Sequence, residues 1–161
     1  MWMIYGANGY TGELIARAGA AEKPVLAGRN AQRIQALARE LGCEARVFEI
    51  DRPRLDGVSL VLHCAGPFIH TSAPMVRACL DAGVHYLDIT GEISVFESIM
   101  ALDAEAKLRN VTLLPGVGFD VVPTDCLAAM LARRLPGATE LTLAFTGGAG
   151  LSAGTQKTIL E

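Results

Sequence analysis

Three glycines spaced three apart, Gly6, Gly9 and Gly12, follow directly on the apolar run Trp2-Met-Ile-Tyr5. A strand that ends in such a turn and reopens as a helix is suited to holding a phosphate. Glycine allows the tight turn, lets backbone approach a pyrophosphate, and lets helix and strand pack closely. The helix expected after Thr11 then points unpaired N–H groups and the positive end of its dipole at the anion. The whole segment Gly6-Ala7-Asn8-Gly9-Tyr10-Thr11-Gly12 is therefore the first candidate cofactor contact. The second is Gly28-Arg29-Asn30, at the end of the next apolar run. A cofactor with a free ribose 2′-hydroxyl is usually held there by Asp or Glu. Arginine at this place matches a 2′-phosphate instead, so NADP(H) is favoured over NAD(H).

Those residues need a scaffold that brings distant loops together, and the chain alternates apolar runs with helical periods as repeated βα units do. Pro24 to Ala27 reads as a second strand. Asn30 caps a helix that carries Ile34, Leu37, Ala38 and Leu41 on one face and closes at Gly42. A third strand spans Ala45 to Ile50 and a fourth Leu60 to Cys64; Ser72 is placed to cap a helix ending at Gly83. Tyr86 to Ile89 is a fifth strand, and Ser94-Val-Phe-Glu97 has capping-box spacing for a helix reaching about Asn110. Val111 to Leu114 supplies a sixth strand, and Thr124 to Leu135 a further helix.

Six strands with crossover helices predict an α/β fold, a doubly wound parallel sheet of the Rossmann type. Right-handed crossovers bring the loops after strands one, two, four and five to one edge. Cys64-Ala65-Gly66-Pro67-Phe68 then falls where backbone passes a nicotinamide ribose, or is plain turn chemistry. Asp51 either accepts from an adenine amino group or sits in a turn. Tyr86, Asp88, Glu92 and Asp120 end strands five and six near the expected nicotinamide and are the candidates for a catalytic acid or substrate contact. No tyrosine is followed four residues later by lysine, so the Tyr-x-x-x-Lys proton relay of short-chain dehydrogenases is absent. A nicotinamide enzyme can do without a covalent residue, because the cofactor carries the hydride.

Composition narrows the function. Hydrophobic residues make up 51% of the chain, as expected of parallel strands covered on both faces. A net charge of −3 offers no basic surface for nucleic acid. The uncharged stretch Gly57 to Val76 contains Gly66-Pro67, two histidines, two serines and a threonine, and is read as strand and loop, not as a membrane span. No basic and apolar leader precedes the first strand, so a cytoplasmic location is expected. Cys43, Cys64, Cys79 and Cys126 lack metal-ligand spacing and read as reduced core thiols; His63, His70 and His85 are scattered, and no metal is expected.

Five segments together resemble the NADP-binding domain of the saccharopine dehydrogenase-like family, in the branch containing trans-acting enoyl reductases. They are Tyr5 to Gly12, Ala27 to Asn30, Gly66 to Phe68, His85 to Glu92 and Pro115 to Asp125. The resemblance implies that Gly6, Asn8, Gly9, Tyr10, Thr11, Arg29 and the Gly66 turn hold the cofactor. It also implies a following substrate and dimerisation domain. Residues 1–135 are accordingly expected to form the dinucleotide-binding domain. Residues 136–161, with an alternating strand Glu140 to Phe145, Gly147-Gly-Ala-Gly150 and a helix start at Ser152, are expected to open a second, truncated domain. The leading expectation is an NADPH-dependent oxidoreductase reducing a C=C or C=N bond of a small metabolite or acyl substrate, with homodimerisation possible. The alternatives are a non-catalytic NADP(H)-binding sensor and a saccharopine-type amino acid dehydrogenase.

Overall fold

The structure is a computed structural model that describes residues 1–119 and 121–144. Its elements in chain order are β1 (Trp2–Tyr5), α1 (Tyr10–Ala18), β2 (Val25–Gly28), α2 (Ala31–Leu41), β3 (Ala45–Val47) and β4 (Leu60–His63). Then come α3 (Phe68–Ala82), β5 (His85–Asp88), α4 (Ile93–Met100), α5 (Asp103–Leu108), β6 (Leu113–Leu114) and α6 (Val122–Arg134). The six strands form one parallel sheet in the order β3-β2-β1-β4-β5-β6. Strand order reverses between β1 and β4, which opens a crevice at the carboxyl edge.

The alternation of side chains divides the core into two layers. Met3, Tyr5, Val25, Val61 and Tyr86 pack against Met75, Val76 and Cys79 of α3, Val95 and Ile99 of α4 and Ala106 of α5. Ile4 and Leu26, on the opposite face, pack against Ala16 of α1 and Ile34, Leu37 and Ala38 of α2. Beyond the reach of α1 on this second face, Leu60, Leu62 and Leu87 line an open depression together with Trp2. Trp2 is the single tryptophan, and its ring lies so close to Gly19 that a Cβ there would stand 3.1 Å from it.

Several boundaries differ from expectation for identifiable reasons. The first helix begins at Tyr10, which places Tyr10 and Thr11 inside its first turn. The helix expected to start at Ser72 starts at Phe68, with Pro67 at the N-cap; Ser72 is buried within it. The helix expected from Ser94 to Asn110 is two helices, because the backbone bends at Ala101–Leu102 and α5 restarts at Asp103. The third strand stops at Val47, since the N–H of Arg52 donates to the carbonyl of Glu49 and turns the chain. Asn30 caps α2 as expected, accepting from Arg33 N–H at 3.0 Å, and Gly42 ends it with φ +64°. Cys79 is buried, but Cys43 and Cys64 are half-buried and Cys126 is exposed, so only one of the four is a fully buried core thiol. No residue of α6 is buried. Glu140 to Ala144 belong to no strand, and Phe145, Gly147 to Gly150 and Ser152 lie outside the described residues.

Candidate functional site

The loop between β1 and α1 is shaped by its three glycines in three different ways. Gly6 has φ +85°, and a Cβ there would lie 2.9 Å from Ala65 and from the Cys64 carbonyl carbon. Gly6 therefore serves the close passage of two strand ends as well as the turn. The N–H groups of Gly6 and Ala7 both donate to the Ala27 carbonyl, at 2.8 and 3.1 Å, which ties the loop to β2. At Gly12 a Cβ would stand 2.2 Å from the Gly6 carbonyl oxygen, so α1 can pack on the loop only through glycine. Gly9 is the N-cap of α1, and no side chain caps that helix. The N–H groups of Tyr10, Thr11 and Gly12 therefore have no intrahelical acceptor, and an anion would satisfy them. A Cβ added at Gly9 would meet, among the described residues, only the Gly6 carbonyl oxygen within 4 Å, at 3.2 Å. The cradle thus fits a pyrophosphate.

The second strand end carries the residues that the sequence assigns to the 2′-position. The Asn8 Oδ1 lies where a Cβ on Gly28, the last residue of β2, would come within 2.9 Å of it, so the placement of Asn8 depends on glycine there. Arg29 is exposed and makes no hydrogen bond or ion pair with the other described residues. The side chain of Asn30 is engaged in capping α2. Tyr5 donates its hydroxyl to the Phe48 carbonyl at 3.4 Å and stacks on the Phe48 ring. Burial first, and then Glu49, push its ionisation up to about 12, with Arg29 opposing and Asp51 adding to the rise. Arg29, Glu49 and Asp51 therefore surround the same end of the sheet, where Asp51 is exposed with Arg52 Nε at 3.9 Å.

The loop after β4 is held from inside. Thr71 donates its single hydroxyl hydrogen toward the carbonyls of Ala65 and Pro67, at 2.7 and 3.0 Å. Its oxygen lies 3.0 Å from His63 Nε2, so that nitrogen must carry the proton and donate. The other nitrogen, Nδ1, is buried without a partner among the described residues. His63 is fully buried between the rings of Tyr5, Phe68 and Tyr86, and burial pushes its pKa down from 6.5 to about 3. Sequence alone assigns His63 no role; its place at the end of an apolar strand, in the same row as Tyr5 and Asp88, is the signal that could have found it.

A pH dependence follows. The unfolded chain protonates His63 below pH 6.5 while the folded chain keeps it neutral, so stability falls on acidification by about 1.4 kcal/mol per pH unit. His63→Gln keeps a side-chain donor near Thr71 but cannot titrate. Its unfolding free energy, followed by urea denaturation, is expected to lose about 1.6 kcal/mol less than that of the parent between pH 6.5 and 5. Burial pushes Asp88 upward, which works in the opposite direction, and comparing the two proteins removes that contribution. Equal pH slopes would show that His63 is not held neutral.

The four catalytic candidates fall into different environments. Tyr86 and Asp88 are both fully buried, and the Tyr86 hydroxyl donates to Asp88 Oδ2 at 2.8 Å. Asp88 Oδ1 accepts from the N–H groups of Thr90, at 3.0 Å, and Gly116, at 2.8 Å. Burial raises both groups above their ordinary ionisation ranges, although the donors around Asp88 pull its carboxyl back toward the charged form. Glu92 is half-buried, and its two oxygens accept from the N–H groups of Phe68 and Ile69, at 3.0 and 2.7 Å. It therefore caps α3 from 24 residues away. Asp120 lies outside the described residues. Among the described residues no three His, Cys, Asp or Glu side chains are grouped to hold a metal ion. None of their helices is long and apolar enough to cross a membrane.

A doubly wound parallel sheet with an uncapped, glycine-cradled helix N-terminus at its switch point defines a dinucleotide-binding domain of the Rossmann type. This chain belongs to the family of the saccharopine dehydrogenase NADP binding domain, whose profile matches residues 2–114. NADP(H) is accordingly its dinucleotide. A Mycobacterium tuberculosis protein named "Putative trans-acting enoyl reductase Rv2449c" is 33% identical over 182 residues, covering 99% of this chain and 43% of its own length. A "Trans-acting enoyl reductase" of Mycobacterium bovis is 30% identical over 147 residues, covering 82% of this chain and 35% of its own. The chain thus spans less than half the length of these relatives. Among solved structures, apo saccharopine dehydrogenase (L-Glu forming) from Saccharomyces cerevisiae superposes with a TM-score of 0.67 at 17% identity, over 81% of this chain and 30% of that one. GenD2 from gentamicin A biosynthesis, solved in complex with NAD, gives 0.58 at 19% identity, over 86% of this chain and 40% of that one. At these identities the two structures speak for the fold alone.

Proposed function

We propose that this chain is the cofactor-binding part of an NADPH-dependent oxidoreductase that reduces a C=C or C=N bond of a small metabolite or acyl substrate. The observation that carries the reading is the uncapped N-terminus of α1 behind Gly6, Gly9 and Gly12, with Arg29 exposed at the neighbouring strand end. The names of the curated relatives support an enoyl, C=C, substrate. When bound, the cofactor supplies the hydride; the chain's own residues orient it and shape the floor of the site. Tyr10 to Gly12 receive the pyrophosphate, Arg29 the 2′-phosphate, and Ala65 to Phe68 back the nicotinamide ribose. Tyr86 and Asp88 hold the loops beneath, and Asp120 is the remaining candidate for substrate contact.

Residues 136–161 open a substrate and dimerisation domain in this reading. The length of the relatives supports it, as does α6, whose Leu127, Met130 and Leu131 are exposed. A homodimer and a cytoplasmic location accompany it. Screening the full-length protein for NADPH oxidation against enoyl thioesters and imines tests the reaction.

Arg29→Ala tests the cofactor. Loss of a charge-assisted contact of about 1.5–3 kcal/mol weakens NADPH binding roughly ten- to a hundredfold. Binding of NADH, which has no 2′-phosphate, changes far less. Exposure, salt and the nearby Glu49 and Asp51 pull the loss toward the lower figure. Fluorescence titration of both cofactors at fixed ionic strength decides the matter, and an equal loss of both would reduce Arg29 to a surface residue beside the site.

A further inference from the structure

We propose that Glu92 is a positioning residue, which fixes the turn after β4 against the nicotinamide half of the cofactor without touching the reacting atoms. The inference rests on the dinucleotide reading above. Its carboxylate spans the N–H groups of Phe68 and Ile69, the first two residues of the fifteen-residue helix α3. A negative charge there meets unpaired donors and the positive end of the helix dipole. No side chain of the segment before α3 performs this task, since Pro67 occupies the N-cap.

Glu92 is itself held. Its N–H donates to Thr90 Oγ1 at 3.1 Å, and the Thr90 N–H donates to Asp88 Oδ1 at 3.0 Å. The same Oδ1 accepts from Gly116 at 2.8 Å, and the Asp88 carbonyl accepts from Val117 at 2.8 Å. Two carboxylates thus link the loops that leave β4, β5 and β6, the half of the sheet on the nicotinamide side of the switch point. The inner surface of the turn is already fastened by Thr71 and His63, whereas its outer surface, at the exposed Ile69, is fastened by Glu92. Filling the N-terminus of α3 with an internal carboxylate also leaves α1 as the phosphate-accepting helix of the pair that flanks the switch point.

The discriminating probe is half of the cofactor. Adenosine 2′,5′-bisphosphate carries the 2′-phosphate but no nicotinamide, so it occupies only the β2 side. With Glu92→Ala, NADPH is expected to bind about tenfold more weakly, the scale of one charge-assisted contact, while the half-molecule binds as to the parent. Acetate in the buffer is expected to restore part of the NADPH affinity by entering the vacated cap. Glu92→Gln, of the same shape, covers the case in which the alanine variant does not fold, and is expected to show an intermediate loss. Unchanged NADPH affinity in both variants, or an equal loss of NADPH and the half-molecule, would overturn the assignment. Failure of the parent to bind either ligand would instead remove the dinucleotide reading on which it stands.

Discussion

Gly9→Val is expected to leave the fold largely intact while losing dinucleotide binding. The backbone at Gly9 is extended, with φ −82° and ψ 167°, a region that valine adopts freely. A Cβ there would have the Gly6 carbonyl oxygen, at 3.2 Å, as its one close neighbour among the described residues. Within the protein, then, the substitution meets a tight contact with that backbone oxygen, which must give by a few tenths of an ångström, and a poorer N-cap residue, worth about 1 kcal/mol relative to glycine. An N-cap side chain lies over the N–H groups of the second and third helical residues, here Thr11 and Gly12, so the two methyl groups are expected to crowd the space a phosphate would take. Losing two charge-assisted contacts to the pyrophosphate, at about 1.5–3 kcal/mol each, weakens NADPH by at least roughly a hundredfold. Circular dichroism and a thermal melt would establish the fold, and a titration the affinity. A folded variant with parental affinity would take the phosphate away from this loop.

Gly12→Ala is expected to do the reverse of what its smaller size suggests. One methyl at this position stands 2.2 Å from the Gly6 carbonyl oxygen and 3.0 Å from the Ala7 Cα. Both are backbone atoms, so no rotamer change relieves the contact, and α1 must move away from the loop. Overpacking of this kind costs about 1–3 kcal/mol, which in a chain of this length lowers Tm by roughly 2–12 °C. The shift also carries the helix N-terminus off the phosphate, so affinity falls with stability. The two glycine variants therefore separate the roles: one blocks the ligand, the other displaces the helix. A Gly12→Ala protein with parental Tm and affinity would show that the helix does not rest on this glycine.

The alternation of six strands with helices is legible in the residues because a doubly wound sheet repeats its signals. Apolar runs at Trp2–Tyr5, Val25–Ala27 and Leu60–His63 form strands, buried at Met3–Tyr5, Val25–Ala27, Val61 and His63, and the helices α2 and α3 are punctuated by Asn30, Gly42 and Gly83. The phosphate cradle is legible because glycine spacing is a local property. What stays hidden depends on contacts distant in sequence. Ser72 is a false marker for the start of α3, because the true cap is a carboxylate 24 residues downstream of Phe68 and leaves no nearby mark. Asp88 and Glu92 read alike as acidic residues near a strand end. Only the register that brings Gly116 and Phe68 to them distinguishes a buried hub from a helix cap. His63 reads as one of three scattered histidines, and only the fold encloses it between Tyr5, Phe68 and Tyr86.

Trp2 occupies one end of β1 and the glycine loop begins at the other, so a strand of four residues, roughly 13 Å, separates the indole from the cofactor loop. Tryptophan emission overlaps the near-ultraviolet absorption of a reduced nicotinamide but not that of an oxidised one. The chain thereby carries its own optical donor, fixed in a rigid strand and unmatched by any second indole that would blur its signal. Resonance transfer from this single residue makes occupancy and redox state of the cofactor readable without a label.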